Sequence, residues 1–270
     1  MSSEPLSVQY EPEKLAHPPL KLAVAQIQYP TIMSVPTSDK LLASFQESVR
    51  DLYPLLSVGQ GIGFAVSSQS IEQQPTPRIF QLTDADQRWT VTLSADSIAL
   101  EARDYTTFNE FSNRLLKVIA AAKEVYSLTS RRRLGLRYVN EIRDESEETT
   151  EASEVSWNSI IRPEILGIMA TDIGASVNQA FQEVSLTIKN GAITMRHGAF
   201  AEGTAVRPLD NQPVLDKPFY LLDFDAFDDQ PGDLSSNRVS DILHDYNRSI
   251  FSLFRWSLTD EFYEQLKGKG

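Results

Sequence analysis

Apolar residues fall at every second position through residues 131–142. Leu134, Leu136, Tyr138 and Ile142 share one face, while Arg133, Arg137 and Glu141 share the other with Gly135 and Val139 between them. A period of two predicts a strand with one face toward the core and the other partly charged. Residues 20–29 alternate in the same way, and their near lack of charge predicts a strand covered on both faces. Between these two stretches the pattern changes several times. Leu41, Phe45 and Val49 recur every four residues after Thr37 and Ser38, either of which can cap a helix that ends before Pro54. Short alternating runs then predict strands over 62–67, 78–82, 88–94 and 97–102, the last two joined by a tight turn at Ala95-Asp96. Gly59, Gly61 and Gly63 precede the first of these; because they open a strand rather than a helix, they read as a structural turn and not as a phosphate cradle. Phe108, Phe111, Leu115, Val118, Ala122 and Val125 form a stripe at three-and-four spacing behind the capping box Thr107…Glu110, which predicts a long helix over 107–126.

The second half repeats the order. After the strand at 131–142 comes an acidic, threonine-rich stretch at 144–154, read as a solvated loop, then a short helix at 163–169. Asn190-Gly191 predicts a hairpin between strands at 181–189 and 192–197. Residues 200–217 read as a long loop of the kind that carries function. A strand over 219–227 turns Leu222 and Phe224 inward and Asp223 and Asp225 to the opposite face. Val239, Ile242, Leu243, Tyr246, Ile250, Leu253 and Phe254 stripe a helix over 235–256, and Thr259 starts a short helix that ends near 266. The expected fold class is therefore α+β: an antiparallel sheet backed by two long helices and built from two pseudo-repeated strand-helix-meander-helix halves, about 20–130 and 131–270. Residues 1–19, with four prolines, form an irregular lead-in to this single domain.

Composition narrows the function classes. A formal net charge of −12 opposes direct binding to nucleic acid or anionic lipid. The absence of cysteine excludes disulfides, thiolate catalysis and cysteine-based zinc sites. No stretch approaches the roughly 20 apolar residues that span a bilayer, and the start of the chain lacks a secretion signal, so a cytoplasmic protein is expected.

Few residues carry recognisable chemistry. The three histidines are scattered: His17 in the lead-in, His197 at the end of a hairpin strand, and His244 beside Leu243 at the edge of the last long helix's stripe. There is no Gly-x-Ser-x-Gly elbow, and no two histidines are close enough in sequence to suggest a metal pair. The constellation to follow is Arg133 and Arg137 on one strand face with Asp223 and Asp225 on one face of another. If those strands are neighbours, the four residues are either a cross-strand ion-pair ladder or an anion-recognising patch, because a guanidinium presents a fork to carboxylate or phosphate. Binding residues are sought at Arg133, Arg137, Asp223, Asp225 and His244; no catalytic residue, metal or cofactor is assigned.

The stretches Pro19-Leu-Lys-Leu-Ala-Val-Ala-Gln-Ile-Gln-Tyr-Pro30 and Arg133-Leu-Gly-Leu-Arg-Tyr-Val-Asn-Glu-Ile142, with Leu243-His244, Phe251 and Leu258-Thr259, resemble a sporadically distributed bacterial family of about this length that has no assigned activity. The resemblance implies one shared architecture in the bacterial cytoplasm and supplies no catalytic residues. The expected function is that of a non-enzymatic binding or regulatory protein with a protein partner, or one that forms a homo-oligomer. It would act through the groove holding Arg133 and Arg137 or through the 200–217 loop. Two alternatives stand beside it. One is a carrier of a small apolar ligand, with a cavity lined by Phe224, Phe251 and Tyr138; the other is a metal-assisted hydrolase using Asp223 and Asp225.

Overall fold

The computed structural model describes residues 6, 8–66, 71–143, 156–177, 179–200 and 218–268, with backbone alone at 60–66 and 71–77. The expected loops at 144–154 and 200–217 lie outside these residues, apart from Phe200. The fold mixes a large antiparallel sheet with several helices. The chain makes two compact units: a first of residues 1–23, 136–227 and 244–270, and a second of residues 24–135 and 228–243.

In the second unit, the strands β1 (Leu20–Gln28) from Val24 on, β2 (Leu55–Val66), β3 (Ile71–Thr83), β4 (Trp89–Leu93) and β5 (Ser97–Ala102) lie in the order β2-β3-β4-β5-β1. Alternation explains which face is core: Trp89, Val91 and Leu93 are buried on β4, and Ile98, Leu100 and Ala102 on β5. After the short α1 (Ser34–Thr37), Ser38 caps α2 (Asp39–Val49) by accepting from the Leu41 N–H at 3.3 Å. Its buried positions are Leu42, Phe45 and Val49. Helix α3 (Phe108–Tyr126) buries Phe111, Leu115, Val118, Ile119 and Ala122. Rings join these layers, Trp89 with Phe111 and Phe45 with Tyr126 at 5.9 Å, while the Arg114 guanidinium lies 4.5 Å over Trp89. Only half of the capping box forms. Thr107 Oγ1 accepts from the Glu110 N–H at 3.2 Å, but the Glu110 carboxylate is taken by Thr106 and Arg114.

The hairpin β2/β3 corrects the sequence reading. In place of strands at 62–67 and 78–82, pairing runs unbroken in kind from Leu55↔Thr83 to Val66↔Ile71, with one register shift between Gln60 and Ile62. Gly59, Gly61 and Gly63 lie inside the strand, not before it. Inter-strand pairing outweighs the weak local preference that glycine and proline signal.

In the first unit, β7 (Arg133–Ile142) from Leu136 on, β8 (Ala180–Ile188), β9 (Gly191–Phe200) and β10 (Phe219–Asp228) as far as Phe227 lie in the order β7-β10-β9-β8. The hairpin expected around Asn190-Gly191 is present, but its two-residue turn falls one residue earlier, at Lys189 and Asn190. Gly191, at φ 125°, a region that glycine enters without strain, already pairs with Ile188 as the first residue of β9. The later part of α5 (Ser236–Ser257) holds that turn: Asn190 Nδ2 donates to Asp245 Oδ2 at 2.6 Å, and the Tyr246 hydroxyl donates to the Asn190 carbonyl at 2.9 Å. Tyr246, Ile250, Leu253 and Phe254 are its buried positions here. A short helix, α4 (Pro163–Leu166), precedes β8, and α6 (Asp260–Leu266), capped by Thr259, follows α5.

The lead-in docks on these last helices. The Tyr10 N–H donates to Ser252 Oγ at 2.9 Å, the Tyr263 hydroxyl donates to Glu13 at 2.6 Å, and the His17 N–H donates to the Leu266 carbonyl at 3.0 Å. The remaining short strands, β6 (Ser130–Arg131) and β11 (Gly232–Asp233), pair with each other in the second unit.

Candidate functional site

Four strands of the first unit bring a line of charges together. Strand register puts Asp223 opposite Arg196 across β10/β9, and Arg196 opposite Glu183 across β9/β8. Arg137 on β7 grips Asp223 with both arms of its fork, Nε to Oδ1 at 2.8 Å and Nη2 to Oδ2 at 2.6 Å. Arg196 Nη1 stands 3.8 Å from Asp223 Oδ2, and its Nε donates to Glu183 Oε2 at 2.6 Å. The result is a chain Arg137–Asp223–Arg196–Glu183.

Its members differ in solvent access, and that decides their roles. The Asp223 side chain is 1% exposed and Arg137 30%, whereas Glu183 at the far end is 56% exposed. A carboxylate so buried needs its partner, while the Glu183 pair is of the kind that contributes about 0–1 kcal/mol. The hydrogen bonds to Asp223 push the Arg137 guanidinium above its ordinary value. Burial opposes that shift, and the charges of Asp223 and Asp225 add to it. Asp225 is half-buried, two residues along β10 and opposite Thr194.

The other sequence-chosen residues sit elsewhere. Arg133 belongs to the second unit, where it pairs with Asp229 at 3.2 Å and lies over Gly135, so close that a Cβ there would stand 2.6 Å from its Nη1. His244 is exposed on α5. Arg196 and Glu183 were not singled out from the sequence, and neither was Arg131. Arg131 is buried in the second unit, with Nη2 on Asp228 at 3.0 Å and Nη1 on the Gln230 carbonyl at 3.2 Å.

The opposite face of the first-unit strands is neutral and packed. The Tyr138 hydroxyl donates to Asn247 Oδ1 at 3.0 Å, and Asn140 Nδ2 donates to the Leu222 carbonyl at 3.1 Å. His197 Nδ1 and the Tyr220 hydroxyl share a 3.0 Å hydrogen bond, with Trp157 against Tyr220 at 5.5 Å between ring centres. Burial pushes the His197 imidazole below, and the Tyr220 hydroxyl above, their ordinary values. Phe224 and Tyr138, expected to line a ligand cavity, are buried among these contacts.

Beside the charged chain, the end strand β8 is open. Eight of its nine residues, Ala180 to Thr187, are exposed or half-buried in unbroken succession, so both of its faces meet solvent. Phe181 is 49% and Val184 40% exposed, and Ile168 and Ile173, on the segment between α4 and β8, are exposed too. Among the described residues, no backbone group of 180–188 makes a hydrogen bond other than to β9.

Two further features bear on the alternatives. A surface cavity of about 240 Å³ lies in the second unit between α2 and α3, lined by Asp51, Tyr53, Lys117 and Glu124 among others. Among the described residues, no three His, Asp or Glu side chains gather as a metal site, and no helix is long and apolar enough to cross a membrane. No family model matches the chain, and neither does any curated protein.

Proposed function

We propose that this chain is a non-enzymatic binding or regulatory protein of the bacterial cytoplasm that acts by contacting a protein partner, and that the contact surface is the β8 margin of the first unit. The observation that carries this reading is a nine-residue end strand exposed on both faces, with Phe181 and Val184 in solvent and Ile168 and Ile173 exposed on the segment that precedes it. An open strand edge offers a row of main-chain donors and acceptors, and flanking apolar side chains supply specificity. The charged chain fits the same reading. Arg137 and Asp223 anchor the sheet beneath the surface, while the exposed Glu183 leaves Arg196 open to a competing carboxylate. In this reading the fold is two strand-helix-meander-helix halves whose corresponding long helices are α3 and α5, in keeping with the family resemblance.

The alternatives are less well supported. Both oxygens of Asp223 accept from Arg137, which leaves a metal little to bind. The cavity between α2 and α3 is below the roughly 300–1,000 Å³ of drug-sized ligand sites and lies away from Phe224 and Tyr138. The test is native mass spectrometry of protein purified gently from its own cytoplasm, beside Phe181→Lys. A defined protein complex heavier than 30.3 kDa, lost in the variant, supports the proposal. A bare chain carrying a small-molecule adduct in both samples overturns it.

A further inference from the structure

We infer that the strand that adds to β8 is β8 of a second copy, paired antiparallel about a two-fold axis through Val184. This deepens the protein-contact reading above and rests on it. The argument begins with what β8 lacks. Long edge strands are normally guarded by lysine, proline, a bulge or brevity. Over its nine residues, Ala180-Phe-Gln-Glu-Val-Ser-Leu-Thr-Ile188, this strand has no proline, no glycine and one charge, and its register with β9 runs unshifted from Ala180↔Ala199 to Ile188↔Gly191. Among the described residues it is a straight rail with no strand on its far side.

Charge then selects the occupant and the register. The whole chain carries a formal charge of −12, so two copies repel at most points of approach. β8 is a stretch where each brings a single charge, Glu183, already neighboured by Arg196 at 2.6 Å. An axis at Glu183 would set the two carboxylates face to face. An axis at Val184 sets Glu183 against Ser185 of the second copy, Phe181 against Thr187, Gln182 against Leu186, and Val184 against itself. Aromatic to β-branched and β-branched to β-branched are favourable cross-strand pairs, and no like charges meet. The residue on the axis is also one of the strand's most exposed apolar side chains.

The chain has no cysteine, so a single introduced thiol reports the axis without background. Directly opposed residues of an antiparallel pair have Cα atoms about 4.5–5.5 Å apart, inside the span a disulfide bridges. On mild oxidation at micromolar concentration, Val184→Cys is expected to convert mostly to a covalent dimer. Gln182→Cys, whose two copies are separated along the strands by about four residues, is expected to remain monomeric. Sedimentation of the unaltered chain should give twice 30.3 kDa, and Val184→Lys should give the monomer with unchanged circular dichroism. Cross-linking of Gln182→Cys as strongly as Val184→Cys overturns the register. A monomeric chain without Val184→Cys cross-links overturns the dimer. If, in that monomeric case, Val184→Lys also releases a different copurifying protein, the broader contact reading stands while this inference falls.

Discussion

The two end strands of the molecule solve the same problem differently. β2 closes the strand order of the second unit and β8 that of the first, and each shows apolar side chains to solvent, Leu55 and Val58 on one, Phe181 and Val184 on the other. β2 carries three glycines and a register shift between Gln60 and Ile62, which twist an edge and interrupt its row of unpaired groups. β8 carries neither. Exposed apolar side chains are common to both strands; an uninterrupted register is what sets β8 apart.

The largest effect that tests this contrast lies beneath the edges. Arg137→Ala strips the partner from a carboxylate that is 1% exposed, and is expected to cost about 3 kcal/mol in urea unfolding, the low end for a broken buried pair because Arg196 remains near. Arg78→Ala, on the β2 side, removes a pair with the exposed Asp39 and should cost at most about 1 kcal/mol. Equal losses would show that the charged chain anchors nothing.

Glycine substitutions come next. A Cβ at Gly198 would stand 2.0 Å from the Ala180 carbonyl oxygen, so Gly198→Ala should push β8 from β9 and cost about 1–3 kcal/mol. At Gly59 the nearest such contact is 3.8 Å, and Gly59→Ala should be neutral or stabilising by about 0.4–1 kcal/mol. Thermal unfolding of the two variants decides it.

A third contrast is one of pH. All three histidines lie in the first unit, and burial holds the His197 imidazole below its ordinary 6.5. The unfolded chain then binds a proton that the folded chain refuses. Stability is full above about pH 6.5 and falls as pH drops from there toward the lowered native value. His197→Gln should flatten that part of a urea-midpoint profile; an unchanged profile would remove His197 from the account. The smallest effect on folding is at the surface. Lysine at Val184 or at Val58 should change stability by no more than about 0.5 kcal/mol, yet only the former should change the sedimenting mass.

Much of this architecture was legible wherever local signals agreed with pairing. β4 and β5 follow a strict period of two, α3 follows Thr107 and its stripe, and the β8/β9 hairpin forms where Asn190-Gly191 signals one, with its turn one residue earlier. β2 and β3 were read short because glycine and proline weaken local preference without preventing hydrogen bonding between strands. Asp223 and Arg137 were legible as a pair of faces. Glu183 and Arg196 were not legible as a pair, because a two-residue turn at Asn190-Gly191 would set Glu183 opposite Gly198; the turn instead falls at Lys189 and Asn190, and that shift of one residue brings Arg196 opposite. Arg131 was not legible either. Its burial depends on Asp228 and Gln230, nearly a hundred residues away, and no periodicity encodes that meeting.

The register of β8 with β9 also has a consequence in time. Hairpins closed by a two-residue turn form in about 1–10 μs, but the contact that fastens β10 to β7, Arg137 with Asp223, must bring together residues 86 apart in sequence. The hairpin is therefore born before its berth exists. During that interval β9, which ends up flanked on both sides, has only β8 beside it, and the nascent hairpin offers neighbouring chains both of its edges where the finished one, among the described residues, offers only that of β8.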